Sequence, residues 1–254
     1  MNELRATYLG HATTMLSAGG TRLLTDPLLR PGIYAFLRRR LASPDVELRG
    51  LDAVLISHVH HDHLHLPSLR RISRHTPLVV PRGAGRLLSK QGFVNVEEVE
   101  VGDRLRIGAI ELEVTPAVHA AGRRGARPAA SVGYLVAHEA TSAYFAGDTE
   151  LFDGMAEIDA ELDLALLPIW GWGPTLGPGH MNPEQAAEAL ELLRPRRAVP
   201  IHWGTYTPVG APRIWPWMTH APAGEFVARA HALVPETEVT VLAPGESIAA
   251  AGPG

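Results

Sequence analysis

Short apolar runs separated by polar, Gly- and Pro-containing turns follow one another along the whole chain. Continuous apolar runs at Ala53–Ile56, Pro77–Val80 and Leu162–Leu167 predict strands buried on both faces. β-Rich or alternating runs predict further strands at Thr7–Leu16, Thr21–Thr25, Asn95–Val101, Arg104–Ile107, Ile110–Thr115, Ser131–Val136, Thr141–Ala146, Ala198–Ile201 and Glu238–Leu242. Helical patterns begin near Pro67 and occupy Ala84–Gln91, Pro183–Leu193 and Glu225–Leu233. This mixture predicts an α/β fold with helices layered on mixed sheets, in a single domain over residues 1–254.

In two segments the apolar residues follow neither a clear helical nor a clear strand period. Residues 28–50 carry Arg38, Arg39 and Arg40, and we expect an irregular, solvated excursion whose role the sequence does not reveal. Residues 164–183 carry no charge over 20 positions, but four Gly and four Pro interrupt them, so a rigid loop is predicted there rather than a membrane span.

Composition narrows the chemistry. The 254 residues hold 23 basic and 27 acidic side chains, a net charge of −4, so no global positive field favours nucleic acid as a partner. Cysteine is absent, which excludes disulfides, thiolate zinc sites and a cysteine nucleophile. The N-terminus shows no signal-peptide pattern, and a cytoplasmic location is expected. Any metal must use nitrogen and oxygen ligands.

Thirteen histidines are present, and five of them fall within residues 58–65, directly after the predicted strand at Ala53–Ile56. In an extended segment, side chains at i and i+2 project to the same side, so His58 and His60 can converge on one ion. Asp62 and His63 follow where the chain turns, and they can face a second ion. A solvated loop or an adventitious metal-binding tract is the alternative, but the position after a buried strand favours two metal sites.

Further ligands are expected at the ends of predicted strands, where the backbone is rigid. His119, Asp148 and His202 each follow such a strand. Together they would complete two sets: His58, His60 and His119 for one ion, and Asp62, His63 and His202 for the other, with Asp148 bridging both. Zinc accepts these ligand types, and manganese or iron are alternatives.

The block at residues 58–63, taken with His119, Asp148 and His202, resembles the metallo-β-lactamase fold superfamily of metal-dependent hydrolases. That resemblance implies a four-layer αβ/βα sandwich of two mixed sheets with a dinuclear, usually zinc, centre at one edge. Four further segments resemble the subgroup containing N-acylphosphatidylethanolamine phospholipase D and L-ascorbate-6-phosphate lactonase, namely residues 9–13, 24–27, 147–149 and 180–186.

The subgroup resemblance implies roles for residues outside the ligand set. Asp26 would orient metal ligands, although an Asp-Pro turn is the plainer interpretation. His180 would act in proton transfer or anion stabilisation, unless it is only a neighbour of a helix cap. His11 would either approach the site or merely pack beside it. The related sequences commonly have Asp where this chain has His65, which puts any hydrogen bond from that position in doubt.

The resulting hypothesis is hydrolysis of a small phosphodiester, lactone or related ester by a hydroxide that bridges two divalent ions. Asp62 would orient the water and accept its proton. Trp170, Trp172 and Trp203 would wall a partly apolar substrate cleft, or else anchor loops. A mononuclear iron dioxygenase, a nuclease and a non-catalytic metal scaffold remain as alternatives.

Overall fold

A computed structural model describes residues 3–34, 37–41, 45–120, 122, 129–159 and 161–250. Within these residues the strands form two seven-stranded sheets and a three-stranded sheet. The first large sheet has the order β17-β1-β2-β3-β6-β7-β8, where the strands are β1 (Arg5–Gly10), β2 (Thr13–Ala18), β3 (Thr21–Thr25), β6 (Ala53–Leu55), β7 (Leu78–Pro81), β8 (Val96–Val99) and β17 (Ser247–Ala249).

The second large sheet has the order β16-β14-β13-β12-β11-β10-β9. Its strands are β9 (Arg104–Ile107), β10 (Ile110–Pro116), β11 (Val132–His138), β12 (Thr141–Phe145), β13 (Leu164–Pro168), β14 (Arg197–Ile201) and β16 (Glu238–Val239). The small sheet joins β4 (Gly32–Ile33), β5 (Leu37–Arg39) and β15 (Tyr206–Pro208).

Four of the five helices in the described residues cover the outer faces of the two large sheets, while the helix at Ala211–Ile214 lies beside β15 of the small sheet. The helices are α1 (Leu66–Leu69), α2 (Gly85–Ser89), α3 (Pro183–Leu193), α4 (Ala211–Ile214) and α5 (Ala221–Leu233), with 3₁₀ turns at Asp153–Glu157 and Pro216–Thr219. Asn182 caps the start of α3 through a reciprocal capping box with Gln185. Pro183 occupies the first turn, where its missing N–H would have no partner within the helix. No helix in the described part of the chain combines the length and apolar character needed to span a bilayer.

Three apolar clusters define the layers. One lies between the two large sheets and includes Leu16, Leu55 and Phe145. A second packs α3 and α5 on the outer face of the second sheet, and a third packs α1 and α2 on the outer face of the first. The predicted four-layer αβ/βα sandwich is therefore confirmed.

The strand directions bring one end of each sheet to a common edge. β3 and β6 are parallel neighbours in the first sheet, and β1 runs the same way because two antiparallel pairings separate it from β3. In the second sheet, β12, β13 and β14 are parallel, and β10 runs with them for the same reason. The carboxyl ends of these strands are where ligands bind in open sheets of this kind.

Several sequence predictions need correction. The predicted strand at Thr7–Leu16 is two antiparallel strands, because Gly10 (φ 110°) and His11 (φ 59°) turn the chain. Residues 164–168 of the predicted rigid loop form β13. The last predicted strand is paired only at Glu238–Val239, and the edge strand β17 carries no signal strong enough to predict it.

The expectation of an irregular, solvated excursion at residues 28–50 is also wrong in part. Leu28, Ile33 and Leu37 are buried with Tyr206, and β4 and β5 pair with β15 in the small sheet. The pairing partner lies more than 160 positions away, so no local period could reveal it. Residues 35–36 and 42–44 of this segment lie outside the described residues.

The packing between the sheets generates a stability prediction. Leu16 is 0% exposed in the central cluster, so Leu16→Ala should lower the free energy of unfolding by about 2–5 kcal/mol through lost burial and a residual cavity. The control is the same change at Leu233, which is 42% exposed and should cost less than about 1 kcal/mol. Urea unfolding measures both, and equal losses would contradict the assignment of Leu16 to the core.

Candidate metal centre

Histidine and aspartate side chains from both large sheets meet at the shared carboxyl edge. His202 directly follows β14. His58, His119 and Asp148 each come three residues after the end of a strand, namely β6, β10 and β12. All seven residues predicted as metal ligands lie together here. Their assignment as ligands stays a prediction, since the structure shows donor atoms only.

Local backbone geometry aims the block at residues 58–63. His58 and His60 face the cluster, while Val59 between them is fully buried in the outer core of the first sheet. The chain then turns, with the amides of His63 and Leu64 both donating to the carbonyl of His60. This turn presents Asp62 and His63 to the other side of the cluster.

The first donor group consists of three imidazoles. His58 Nε2 lies 3.0 Å from His60 Nδ1, and His119 Nε2 lies 3.1 Å from the same atom. Two nitrogens bound to one zinc at about 2.0–2.1 Å and tetrahedral angles lie about 3.3 Å apart. The separations of this group are therefore close to those of ligands that share an ion.

The second donor group lies beside the first. His63 Nε2 and His202 Nε2 are 3.1 Å apart, and Asp62 Oδ2 lies 3.7 Å and 3.6 Å from them. Asp148 sits between the groups, because its Oδ2 lies 3.1 Å from His63 Nε2 and 3.8 Å from His58 Nε2. Its Oδ1 lies 3.3 Å from His202 Nε2.

Hydrogen bonds behind three rings fix which nitrogen faces the cluster. Nδ1 of His63 lies 2.7 Å from a carboxylate oxygen of Asp26, Nδ1 of His119 lies 2.6 Å from the carbonyl of Gly179, and Nδ1 of His202 lies 2.9 Å from the carbonyl of Trp170. Those oxygens can only accept, so each Nδ1 carries the proton. In the neutral rings each Nε2 then points an unshared pair into the cluster.

The same tautomer is imposed on His58 through Ser57. The Ser57 hydroxyl donates to Asp26 at 2.5 Å, so it accepts from Nδ1 of His58 at 3.0 Å. Asp26 also accepts the backbone amide of Ser57 at 2.8 Å and is fully buried. One carboxylate thus orients a ring in each donor group, which agrees with the orienting role expected of Asp26.

This donor set fits divalent cations. Neutral His63 and His202 would face each other with unshared pairs only 3.1 Å apart, which is unfavourable unless a cation lies near both. Asp148 Oδ1 is buried without a hydrogen-bond partner among the described residues, another cost that a cation would remove. Imidazole nitrogen and carboxylate oxygen are ligands for zinc, manganese and iron alike.

The electrostatics of the site also favour a positive charge at its centre. Burial opposes a charge on His63, yet the carboxylates of Asp148, Asp62 and Asp26 raise the pKa of its ring well above the usual value. By contrast, burial lowers the pKa of His119 to about 4. The centre of the cluster therefore favours a positive charge, while its first donor group stays neutral.

His11 lies behind Asp62 rather than in the cavity. Its ring is 1% exposed, with Nε2 3.0 Å from Asp62 Oδ2 and the ring centre 3.9 Å from that of His202. Its Nε2 also falls within the second donor group. The predicted substrate contact of His11 stays a prediction, and the hydrogen bond to Asp62 is what the structure shows.

His180 reaches the cluster from the loop before α3. Its Nε2 lies 3.3 Å from Asp148 Oδ2, and its Nδ1 lies 3.0 Å from the carbonyl of Pro178. Burial opposes its charge, but the hydrogen bond to Asp148 raises the pKa of the ring above its ordinary value. This half-buried side chain stands between the cluster and the open cavity.

The three tryptophans predicted to wall the cleft lie in different places. Trp172 lines the cavity beside the cluster, together with His60 and His180. Trp170 supplies the carbonyl for His202 and stacks edge-on against Trp217 at 5.6 Å. Trp203 packs on the outer core of the second sheet and lines a separate cavity. Trp170 also lines a further cavity together with His180, and the predicted substrate contacts of all three tryptophans stay predictions.

His65, which stands where related sequences have Asp, lies outside both donor groups. Its Nδ1 is 2.7 Å from the hydroxyl of Ser68, which also accepts the amide of Leu29. The ring is buried. Through the hydroxyl of Ser68, His65 is linked to the segment after β3. It belongs to neither donor group.

Sequence reasoning missed Ser57 and Gly147. Gly147 has φ 63°, and a Cβ there would lie 2.6 Å from Cβ of Ser57, so only glycine lets β12 deliver Asp148 this close to β6. Ser57 directly precedes the histidine block, which is the one signal that could have drawn attention to it.

Comparisons with known proteins show which proteins this chain is similar to. A family model described as Beta-lactamase superfamily domain matches residues 21–203. A UPF0173 metal-dependent hydrolase of Methanopyrus kandleri is 33% identical over 255 residues, covering 96% of this chain and 99% of that protein. The N-acyl-phosphatidylethanolamine-hydrolyzing phospholipase D 1 of Caenorhabditis elegans is 32% identical over 234 residues, covering 82% of this chain and 65% of that protein.

Solved structures share the architecture. Igni18, a metallo hydrolase from the hyperthermophilic archaeon Ignicoccus hospitalis, superposes with a TM-score of 0.71 at 25% sequence identity. The match covers 96% of this chain and 97% of that chain.

The hydroxyl of Ser57 generates a prediction about metal affinity. Ser57→Ala leaves Nδ1 of His58 without its acceptor, and losing such an orienting bond costs metal sites about 10–100-fold in affinity. Competition of zinc with a chromophoric chelator measures that affinity, and Ser57→Thr should retain it because the hydroxyl remains.

The matched control is Ser68→Ala, because Ser68 is equally buried and also bonds an imidazole, that of His65 outside both donor groups. Equal zinc affinity in Ser57→Ala and the unmodified protein would show that Ser57 does not orient a ligand. Equal losses in the two variants would point to a general effect of losing a buried hydroxyl.

Proposed function

The chain belongs to the family described as Beta-lactamase superfamily domain and is a metal-dependent hydrolase, and we propose on this basis that it uses two divalent cations, zinc first among them, to cleave a small ester, lactone or phosphodiester. His58, His60 and His119 would hold one cation. Asp62, His63 and His202 would hold the other, and Asp148 would touch both. When bound, the two cations would supply a water nucleophile at neutral pH and would polarise the bond to be cleaved.

A single observation carries the proposal. The Nε2 atoms of His63 and His202 lie 3.1 Å apart, and each ring donates its only proton to an acceptor on the far side. Two such unshared pairs face each other unless a positive charge lies between them, and either a cation or the second proton favoured by the raised pKa of His63 would supply that charge. The uncompensated carboxylate oxygen of Asp148 at the same spot strengthens this reasoning.

Asp62 is suited to orient the attacking water. It belongs to the second donor group and also lines the open cavity, so its carboxylate can touch both the cluster and a bound substrate. The hydrogen bond with His11 at 3.0 Å holds the Asp62 carboxylate in place, as does the backbone turn at residues 60–64. A general base must lie within hydrogen-bond reach of the proton it accepts, and Asp62 meets that condition on the cavity side.

His180 is suited to protonate the leaving group. It lines the cavity beside Asp148 and donates through Nδ1 to the carbonyl groups of Gly177 and Pro178. Those bonds leave Nε2 directed at Asp148 and the substrate space. A proton held on Nε2 there could pass to a departing alkoxide without movement of the loop.

Replacement of Asp62 tests the mechanism. We expect Asp62→Ala to lower kcat by at least about 100-fold on whichever probe the protein hydrolyses, because the water loses its orienting base. The probes are a chromogenic phosphodiester, a lactone and a carboxylic ester, each assayed after metal content is measured. The control is Asp153→Ala, an exposed aspartate in the 3₁₀ turn five residues after Asp148 that belongs to neither donor group. Activity of Asp62→Ala within tenfold of the unmodified protein, at equal metal content, would remove Asp62 from the mechanism.

Metal removal tests the cluster itself. Dialysis against a chelator should abolish hydrolysis and lower Tm, because the facing imidazoles and buried carboxylates then lose the cation that compensates them. Two equivalents of zinc per chain should restore both, as followed by elemental analysis and a thermal melt. Full recovery with one equivalent would contradict the dinuclear arrangement, and recovery with iron alone would favour different chemistry.

A further inference from the structure

A cavity of about 280 Å³ opens beside the cluster and has two unlike walls. One wall carries the polar side chains already described, His60, Asp62, Asp148 and His180. The other lining residues are Ile33, Tyr34, Leu37 and Trp172, together with His61, whose ring centre lies 5.3 Å from that of Tyr34. The volume of the cavity falls just below the usual range for ligand pockets, about 300–1,000 Å³, which suits a small substrate.

Three of the four apolar residues come from one segment. Residues 28–34 and 37–41, here called the arm, leave the first large sheet after Asp26 and form β4 and β5 of the small sheet. Leu28, Ile33 and Leu37 bury themselves against Tyr206, whose hydroxyl lies 2.7 Å from the carbonyl of Arg30. The arm is therefore a packed, hydrogen-bonded segment that lines one side of the cavity.

The basic residues of the arm serve this construction. Arg38 donates to the carbonyl groups of Tyr34 and Leu37, and Arg39 donates to the carbonyl of Leu9. No lysine or arginine lines the cavity in the described part of the chain. Ile33 and Leu37 are almost fully buried behind the cavity, so Tyr34 supplies the accessible apolar surface of the arm there.

Tyr34 is held in an unfavourable state at the cavity mouth. Its side chain is 57% exposed, and its backbone is left-handed with φ 52°, which is uncommon for a residue with a bulky ring. Strain and exposed aromatic surface together are typical of functional positions. Trp172, which is 36% exposed, lines the same cavity from the loop before α3.

We propose that the arm supplies the apolar half of the substrate site and that the substrate is a small ester or lactone whose group beside the scissile bond is apolar. This inference rests on the proposed hydrolysis. Tyr34 would be a specificity-determining residue, because its ring and that of Trp172 cover the apolar group once bound. A charged group placed there would lose water and gain no partner from Ile33 or Leu37.

The test separates binding from turnover. Acetate and hexanoate serve as product probes, and their affinities are measured by tryptophan fluorescence on the metal-loaded protein, with Trp172→Phe identifying the responding residue. p-Nitrophenyl acetate and p-nitrophenyl hexanoate serve as substrates. Hexanoate should bind about tenfold more tightly than acetate, and the hexanoate ester should show the lower KM.

The variants isolate the ring of Tyr34. Tyr34→Asn removes the ring while tolerating the left-handed backbone, and it should abolish the preference for the longer chain through KM with kcat nearly unchanged. Tyr34→Phe keeps the ring and should keep the preference. Val94→Asn, at an exposed position that does not line this cavity, is the control and should change neither.

Equal binding of acetate and hexanoate, or a preference that survives Tyr34→Asn, would overturn the inference. Preferential binding of hexanoate without turnover of either ester would leave the apolar wall in place and would count against ester hydrolysis instead. Turnover of both esters with no chain-length preference would support ester hydrolysis and would count against the apolar wall.

Discussion

The cluster depends on imidazole rings that have only one nitrogen left to offer. Behind His63, His119 and His202, an acceptor oxygen holds the proton on Nδ1, and Ser57 does the same for His58. Nε2 of His63 then lies 3.1 Å from Nε2 of His202, and Nε2 of His58 and of His119 lie 3.0 Å and 3.1 Å from Nδ1 of His60, next to carboxylates that are largely shielded from water. Such an arrangement favours a positive charge, which bound cations would supply under the proposed function. Metal binding would then also stabilise the fold.

The energy that holds these groups together comes from the rest of the fold. The apolar cluster between the two sheets fixes their separation, and hydrogen bonds join the sheets at the edge where the donors sit. The amide of His202 donates to the carbonyl of His11, the amide of Val132 donates to the carbonyl of Ser57, and the hydroxyl of Tyr134 donates to the carbonyl of Ile56. Each bond ties a donor-bearing segment of one sheet to the other. The rigid framework thus tolerates a centre that is strained without its cations.

The arm adds the part of the site that metal chemistry does not provide. Cations and their ligands can activate water, but they distinguish poorly between the substituents of an ester. Discrimination needs a wall shaped around the substituent, and Ile33, Tyr34 and Leu37 stand in that position. Such a wall can change without disturbing the donor groups, because the arm is bound to Tyr206 and Leu9 through its own contacts. Under the proposed function, activation and selectivity would therefore be carried by separate segments of the chain.

The sequence alone determined the layered α/β fold, the strand ends that carry donors and all seven predicted ligands, because these follow from short-range periods and from the spacing of His58, His60, Asp62 and His63. Tertiary structure decided what depends on residues far apart in the chain. The turn at His11, the role of Ser57 and the pairing of β5 with β15 belong to this class, as does the separation of Trp172 from Trp203. A local pattern reports which side of its own strand or helix a residue occupies. It cannot report which distant segment supplies an acceptor or a wall, since that is settled only when the two sheets pack.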